Sequence, residues 1–256
     1  MSRVVRPRKI GLARALSKLG HCSRSQAAEL ISAGRVRLNG ATRRDPETPV
    51  RLGRDRIDVD ERAVRAEQKV YLMLNKPRGI VTTASDEKGR KTVYHILEGR
   101  WPWVAPIGRL DQASEGLLLL SNDSGWAARV TDPKTHLDKT YHVQVDVLPG
   151  AELLSSLRRG VSTAEGEILR AKQVRVLRRG ERNAWLEVVL DEGKNRQIRR
   201  MLESFGVGVL RLVRVAVGPL RLGNLPKGDC RALSAEEKRC LNGAMRAAEK
   251  RLSPEK

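Results

Sequence analysis

The chain has 256 residues, of which 40% are hydrophobic, so it can bury enough apolar surface for two domains. Leu117–Leu120 is an apolar run of 4 residues, far short of the roughly 20 that cross a bilayer, and Met1–Arg14 lacks the apolar stretch of a secretory signal, so we expect a soluble, cytoplasmic protein. The 50 Lys and Arg against 30 Asp and Glu give a net charge of +20, which predicts a nucleic-acid partner, although a surface that is basic only for solubility would give the same count.

The cysteines and histidines show none of the spacings that hold a metal ion. The three cysteines are odd in number and lack a Cys-x-x-Cys pair, so we expect free thiols at Cys22, Cys230 and Cys240. We expect structural roles for His21, His95, His136 and His142. The sequence therefore predicts neither a disulfide framework nor a metal site.

A basic arm, residues 1–9, precedes a segment with the pattern of two short helices and several small strands. The first helix is indicated by leucines at helical spacing before Gly20, namely Leu12, Leu16 and Leu19. The second is predicted from Ser23 or Arg24 to Ser32, with an inner face of Ala27, Leu30 and Ile31. An alternating strand then leads into an Asn39-Gly40 turn, and further short strands are indicated by Val50, Ile57 and Val59.

The stretch Cys22–Gly40 resembles the heart of the S4 domain, a unit named for a ribosomal protein. We assign this domain to residues 10–60 and a charged linker to residues 61–68. The resemblance implies RNA docking through five cations: Arg14, Lys18, Arg24, Arg35 and Arg37. The other interpretation, that some of these side chains only solvate helix faces, stays open.

Residues 69–233 have the pattern of an α+β domain with a mostly antiparallel sheet. We predict strands at 70–74, 117–121, 141–147, 168–176 and 185–190. A helix is predicted over 195–205, with one buried face formed by Ile198, Met201, Leu202 and Phe205. Residues 234–256 are expected to form a short helix, started by a capping box of Ser234 and Glu237, and a charged tail.

Three segments of this domain carry candidate chemistry. Asp111 lies in a glycine-bounded loop before an apolar strand, Tyr141 lies in a strand, and a helix begins in the cation-rich stretch Glu192–Met201. That helix start, with Lys194 and Arg196, predicts a phosphate site. Taken singly, each feature also has an ordinary interpretation: a turn aspartate, a core tyrosine and a solvated helix face.

In this order, the segments resemble the pseudouridine synthases. The similar stretches are Gly108-Arg-Leu-Asp111 with Ser-x-Gly-Leu-Leu-Leu-Leu, then Lys-Thr-Tyr141, then Asn-Arg-Gln-Ile-Arg199, and the closing segments Leu210–Arg214, Gly218-Pro-Leu and Gly228–Leu233. The resemblance covers roughly residues 10–233 and is strongest to the bacterial ribosomal small- and large-subunit branch, which also carries an N-terminal S4 domain. Ser121 stands where that branch often has threonine.

The resemblance implies a catalytic set. Asp111 matches the nucleophilic aspartate, Tyr141 matches the tyrosine that stacks on the base, and Arg199 matches the basic residue that pairs with the aspartate. The reaction converts uridine to pseudouridine by intramolecular transfer, so no cofactor is expected. Further RNA contacts are expected from Arg109, Lys194, Arg196 and Arg200.

The expected partner is ribosomal RNA or a ribosomal subunit assembly intermediate, bound by a monomer without membrane contact. The large-subunit RNA (23S) is favoured over the small-subunit RNA (16S). The alternative is a non-catalytic S4-domain assembly factor, in which the second domain keeps the fold and lacks the chemistry. A methyltransferase or a metal-dependent nuclease is disfavoured, because neither a glycine-rich strand–loop–helix nor a clear set of clustered acids is found.

Overall fold

The structure, a computed structural model, describes residues 9–84, 86–97 and 99–252. The described chain divides into two compact units. One contains the residues up to 71 together with 99–105 and 120–124, and the other contains the remaining residues from 72 onwards. Apart from Lys9, the predicted basic arm lies outside the described residues, as do residues 253–256 of the predicted tail.

The amino-terminal unit contains two helices and two small sheets. Its elements are β1 (Ile10–Gly11), α1 (Leu12–Lys18), α2 (Arg24–Ser32), β2 (Val36–Leu38), β3 (Ala41–Arg43), β4 (Pro49–Val50), β5 (Ile57–Val59) and β6 (Arg62–Ala63). Antiparallel β3, β2, β5 and β6 form one sheet in that order, and β1 pairs with β4. The sheet thus continues through β6 into the stretch predicted as a linker. The core contains the predicted helix residues Leu12, Leu16, Ala27 and Ile31.

Local chemistry explains where these elements begin and turn. The Ser23 hydroxyl accepts a hydrogen bond from the Gln26 amide (3.1 Å), and the Gln26 side chain accepts one from the Ser23 amide (3.1 Å), so α2 starts with a capping box. Asn39 and Gly40 both have positive φ, 52° and 84°, as a tight two-residue hairpin between β2 and β3 requires.

A nine-stranded sheet dominates the rest of the chain. The elements are β7 (Tyr71–Lys76), α3 (Tyr94–Leu97), β8 (Ala105–Ile107), β9 (Glu115–Ser121), α4 (Ser124–Thr131), β10 (Lys139–Val145), α5 (Ala151–Arg159), β11 (Val161–Ser162), β12 (Ile168–Leu169), β13 (Gln173–Arg179), β14 (Ala184–Leu190), α6 (Gln197–Glu203), β15 (Val209–Val217), β16 (Leu220–Arg221), β17 (Cys230–Ala232) and α7 (Ala235–Leu252). The main strand order is β13-β14-β10-β15-β9-β7-β17, with β16 beside β15 and β8 beside β9. Because β15 and β9 run parallel while most other pairs are antiparallel, the predicted α+β class with a mixed, mostly antiparallel sheet is confirmed.

One face of the sheet is covered by α5 and α6. The core there joins Val143 of β10 and Leu186 of β14 to Leu157 of α5 and to Met201 and Leu202 of α6. All five side chains are at most 2% exposed. This packing fixes α6 against the strand that carries Tyr141.

Two predicted elements differ from the structure in ways that local geometry explains. The strand expected over 168–176 is two strands, β12 and β13, which pair with different partners: β12 with β11 and β13 with β14. Between them, the Ala171 amide donates to the Leu157 carbonyl and the Lys172 amide donates to the Val189 carbonyl of β14. The helix expected over 195–205 is α6, 197–203, because Arg196 has a left-handed φ of 49°. Phe205 follows the helix and is 44% exposed, so its predicted place on the buried face is wrong.

The carboxy-terminal helix α7 has 18 residues rather than being short. The predicted capping box is confirmed: the Ser234 amide donates to the Glu237 carboxylate at 2.8 Å, and the Glu237 amide donates to the Ser234 hydroxyl at 3.1 Å. Leu241 and Met245 of α7 are fully buried. The helix is therefore a packed part of the fold.

Candidate active site

A cavity of about 610 Å³ opens on the sheet face that carries Tyr141. The loop before β9, the start of β10, the end of β14 and the turn before α6 all contribute to its walls. Asp111 and Tyr141, which are 30 residues apart in sequence, both line it. The structure thus brings two of the three predicted catalytic residues to one cavity.

Hydrogen bonds to the backbone carbonyls on both sides of Asp111 hold its loop in place. The Thr82 hydroxyl donates to the Leu110 carbonyl at 2.8 Å, and the Gly79 amide donates to the Gln112 carbonyl at 2.8 Å. The Asp111 carbonyl itself accepts from the Ser114 amide at 3.0 Å. The backbone that carries the carboxyl group is therefore fixed in the loop before the buried strand β9.

Tyr141 lies in the middle of the sheet. On β10 it pairs with Val188 of β14 on one side and with Arg214 of β15 on the other. It is half-buried and packs against the core under α5 and α6. Its ring is thus held at the cavity wall by the sheet.

Arg199 lies in α6 and reaches the loop that carries Asp111. Its guanidinium donates to the Ala113 carbonyl at 3.2 Å and to the Val209 carbonyl at 3.4 Å, while Nε is buried without a partner among the described residues. Burial lowers the pKa of Arg199, the nearby Arg196 cation adds to this, and the negative charge of Asp111 opposes it. No ion pair within 4.0 Å joins Arg199 to Asp111 in the described chain, so the pairing stays a prediction.

Lys76 does not line the cavity and was not predicted from the sequence, but its charge interacts with that of Asp111. Its side chain at the end of β7 is fully buried, and its ammonium donates to the carbonyls of Ile80 (2.6 Å) and Pro77 (3.0 Å). Burial lowers the pKa of Lys76 to about 8, although Asp111 and Glu115 oppose this shift. The sequence signal for this residue was weak, because the predicted strand ended at residue 74 and only the structure extends it to Lys76.

Glu115 is a second buried charge near the cavity. Its carboxylate, 3% exposed, is bound by Arg211 at 3.0 Å and by Lys227 at 2.6 Å. Burial alone would raise the pKa of Glu115, but the hydrogen bonds from Arg211 and Lys227 hold it below its ordinary value. This acid is therefore occupied in a structural network.

The cations predicted to contact RNA near the cavity fall into two groups. Arg109 and Arg196 are exposed and line the cavity. Lys194 is paired with Glu167 (3.1 Å) and Glu192 (3.4 Å), and Arg200 is paired with Glu165 and Glu167. The predicted phosphate site at the start of α6 therefore has one free cation, Arg196, within the part of the chain that the structure describes.

The five predicted RNA-binding residues of the amino-terminal unit are all exposed. Arg35 pairs with Asp60, and Arg37 lies 3.7 Å from Glu61. Exposed pairs of this kind contribute about 0–1 kcal/mol, so RNA phosphates can replace the acids at little cost. Arg14, Lys18 and Arg24 form no ion pair with the residues that the structure describes.

Two further findings concern what the described residues do not contain. Within residues 9–84, 86–97 and 99–252, no three His, Cys, Asp or Glu side chains are grouped so that they could hold a metal ion. Over the same ranges, no helix combines the length and apolar character needed to cross a membrane. Among the described residues, Cys22, Cys230 and Cys240 form no disulfide.

Comparison with known proteins shows which families the chain resembles. The model of the RNA pseudouridylate synthase family matches residues 70–204, and that of the S4 domain matches residues 10–57. The Bacillus subtilis protein named ribosomal large subunit pseudouridine synthase B is 38% identical over 88% of this chain and 93% of its own length. A Rickettsia typhi protein named as an uncharacterised RNA pseudouridine synthase is 40% identical over 87% of this chain and 91% of its own.

A solved structure leads to the same family. A crystal structure described as a pseudouridylate synthase superposes with a TM-score of 0.63 and 27% identity, over 91% of this chain and 99% of that one. Together, the S4 unit, the mixed sheet and the matching sequences establish that the chain is an enzyme of the RNA pseudouridine synthase family.

Proposed function

We propose that this enzyme isomerises a uridine of ribosomal RNA to pseudouridine, with Asp111 as its nucleophile. The observation that carries the proposal is the convergence of Asp111 and Tyr141 on one cavity, with Arg199 bound to the carbonyl two residues after Asp111. The fixed loop holds the carboxylate where a flipped nucleotide would enter. Extruding that nucleotide from paired RNA costs a few kcal/mol, which the tyrosine ring offsets by stacking on the base.

The chemistry needs a carboxylate and a base. The C1′–N1 bond breaks, the uracil rotates, C5 bonds to C1′, and the C5 proton is lost. Asp111 acts by one of two routes, attack on C1′ or removal of a sugar proton to give a glycal. Tyr141 takes the C5 proton, directly or through water. The charge of Asp111 acts on the pKa of Arg199, so the two groups interact electrostatically without direct contact.

RNA binding in this proposal uses both matched domains. Residues 10–60 dock on RNA through the exposed cations of the S4 domain, and residues 69–233 form the catalytic domain. The Bacillus relative named for the large ribosomal subunit favours 23S over 16S RNA as substrate. The enzyme acts as a cytoplasmic monomer, on free RNA or on a subunit assembly intermediate, and uses no cofactor.

The test is to map pseudouridines in ribosomal RNA from a strain that lacks the gene. Complementation with the wild type restores one or more sites, whereas Asp111→Asn lowers the rate at those sites at least about 10³-fold. Asp229→Asn, the same change at an exposed position of the catalytic domain, leaves them intact. Restoration by Asp111→Asn would show that this aspartate is not the nucleophile.

The same strains separate the enzyme from a non-catalytic assembly factor. If the deletion removes no pseudouridine from either ribosomal RNA, the substrate proposed here is wrong. If Asp111→Asn also corrects a subunit assembly defect of the deletion strain, the RNA-binding role is independent of catalysis. Mapping the lost sites identifies the subunit and the uridine in one experiment.

A further inference from the structure

Two cations in the cavity have no role in the steps given above. Lys139 and Arg214 both line the cavity together with Tyr141. Lys139 precedes Tyr141 by two positions on β10, so their side chains lie on the same face of the strand. Arg214 is the direct neighbour of Tyr141 on β15. The sheet therefore places both cations beside the ring that is to hold the base.

Arg214 is fixed in position and has no acidic partner. It is 8% exposed, and its Nε donates to the Leu117 carbonyl on β9 at 2.7 Å. No carboxylate of the described chain lies within 4.0 Å of its guanidinium, and no described residue accepts a hydrogen bond from its two terminal nitrogens. A buried guanidinium of this kind has donors left for a bound anion.

Lys139 adds a second positive charge. Burial lowers the pKa of Lys139, and the charge of Arg214 lowers it further, while Asp138 and Asp191 oppose the change. The Asp138 carboxylate is itself bound to Lys172 at 2.8 Å. Two neighbouring cations that are both shielded from water are unfavourable by themselves and become favourable when an anion joins them.

The reaction generates such an anion in this place. When the C1′–N1 bond breaks, its electron pair goes to N1 and is shared with O2 and O4 of the uracil. We propose that Arg214, assisted by Lys139, binds the uracil oxygens that carry this charge and so stabilises the leaving base. This inference rests on the proposed function, because it requires a uridine stacked on Tyr141. Arg109 and Arg196 are exposed, so in this arrangement they, and not Arg214, are the cations assigned to the RNA phosphates.

Arg214 and Lys139 act on the charge that develops in the transition state, so their removal is expected to lower the rate of the chemical step and leave RNA affinity nearly unchanged. The assay uses 16S and 23S transcripts labelled with tritium at C5 of uridine, because the C5 hydrogen is released when the new C–C bond forms. At saturating enzyme in single turnover, we expect Arg214→Met to lower the rate about 10²–10³-fold, and Lys139→Met about 10-fold. The RNA Kd should change less than about 3-fold, and Arg214→Lys should recover part of the rate.

A second substrate identifies the leaving group as the target. Fluorine at C5 withdraws electrons and stabilises the detached base, so transcripts made with 5-fluorouridine need less help from the cations. We expect the Arg214→Met defect, measured as loss of the 5-fluorouridine nucleoside, to be about 10-fold smaller than the defect on uridine. An equal defect on both substrates would overturn the leaving-group role.

Controls separate the other outcomes. If Arg214→Met keeps the wild-type rate at saturation but raises Kd and lowers the salt dependence of log Kd by about one charge, Arg214 binds a phosphate and the inference fails. Arg182→Met removes one exposed charge of the same domain and should change neither rate nor Kd. Thermal melting shows whether each variant folds. If Arg214→Met does not fold, the rate and Kd of Lys139→Met test the same inference. Absence of tritium release by the wild type, both from the transcripts and from labelled subunit intermediates of the deletion strain, would contradict the proposed function itself. An active wild type with a fully active Arg214→Met contradicts only this inference.

Discussion

The buried Lys76 gives a prediction whose size follows from its environment. Burial of its ammonium lowers its pKa from 10.5 to about 8, although the charges of Asp111 and Glu115 oppose the change. A difference of this size corresponds to about 3 kcal/mol, at about 1.4 kcal/mol per pH unit. Below pH 8 the lysine is charged in both the folded and the unfolded chain, so the full free-energy cost of burying the charge destabilises the folded state. Above pH 10.5 it is neutral in both, and the penalty vanishes.

Substitution of Lys76 by methionine removes the change in stability with pH that the buried lysine causes. The free energy of unfolding of the wild type, relative to Lys76→Met, should therefore rise with pH, by roughly 2–3 kcal/mol between pH 7 and pH 10. Groups that titrate in both proteins cancel in the difference. The loss of hydrogen bonds to Pro77 and Ile80 adds a cost to the variant that does not depend on pH over this range.

Urea denaturation at several pH values measures this difference. Trp126 and Trp185 lie in the unit that contains Lys76, whereas Trp101 and Trp103 lie in the amino-terminal unit, so tryptophan fluorescence follows the unfolding of both units. Lys76→Arg, which stays charged throughout, serves as the opposite control, and its stability relative to the methionine variant should not change with pH. A wild-type-minus-methionine difference that is flat from pH 7 to pH 10 would refute the burial argument for Lys76.

Two other predictions concern the strand that follows the Asp111 loop. Glu115→Gln should destabilise the fold by about 1–3 kcal/mol at pH 7, because it removes the charge that holds Arg211 and Lys227. Since the pKa of Glu115 is lowered in the folded state, the stability difference between the wild type and Glu115→Gln should shrink as the pH falls below about 4.5. Urea denaturation of both proteins at pH 7 and pH 4 measures this difference. Gly116→Ala should cost about 2–5 kcal/mol, because φ is +101° and a Cβ would lie 2.3 Å from the Arg214 carbonyl oxygen. Gly89→Ala, with φ +66° and open space around it, is the matched control, and an equal drop in Tm for both variants would exclude the steric explanation.

Local chemistry made much of the secondary structure predictable. The α2 boundaries follow from Ser23 and from the turn after Ser32, and the β2–β3 hairpin follows from Asn39-Gly40. Errors occurred where long-range pairing overrides local pattern. The chain between β12 and β13 changes its strand partner, and the left-handed Arg196 delays α6, neither of which apolar periodicity can indicate.

The residues of the candidate site also fall into those that the sequence predicted and those that only the structure identified. Sequence alone, through the order of its motifs, determined which aspartate, tyrosine and arginine to examine, and its charge predicted a nucleic-acid partner. Only the tertiary structure decided that Lys139 and Arg214 line the same cavity and that the buried Lys76 interacts with the charge of Asp111. The physical reason is sheet order: β15 lies between β10 and β9, so Tyr141, Arg214 and Gly116 form one row across three strands that are distant in sequence. Burial of a cation depends on such neighbours, and no local pattern contains them.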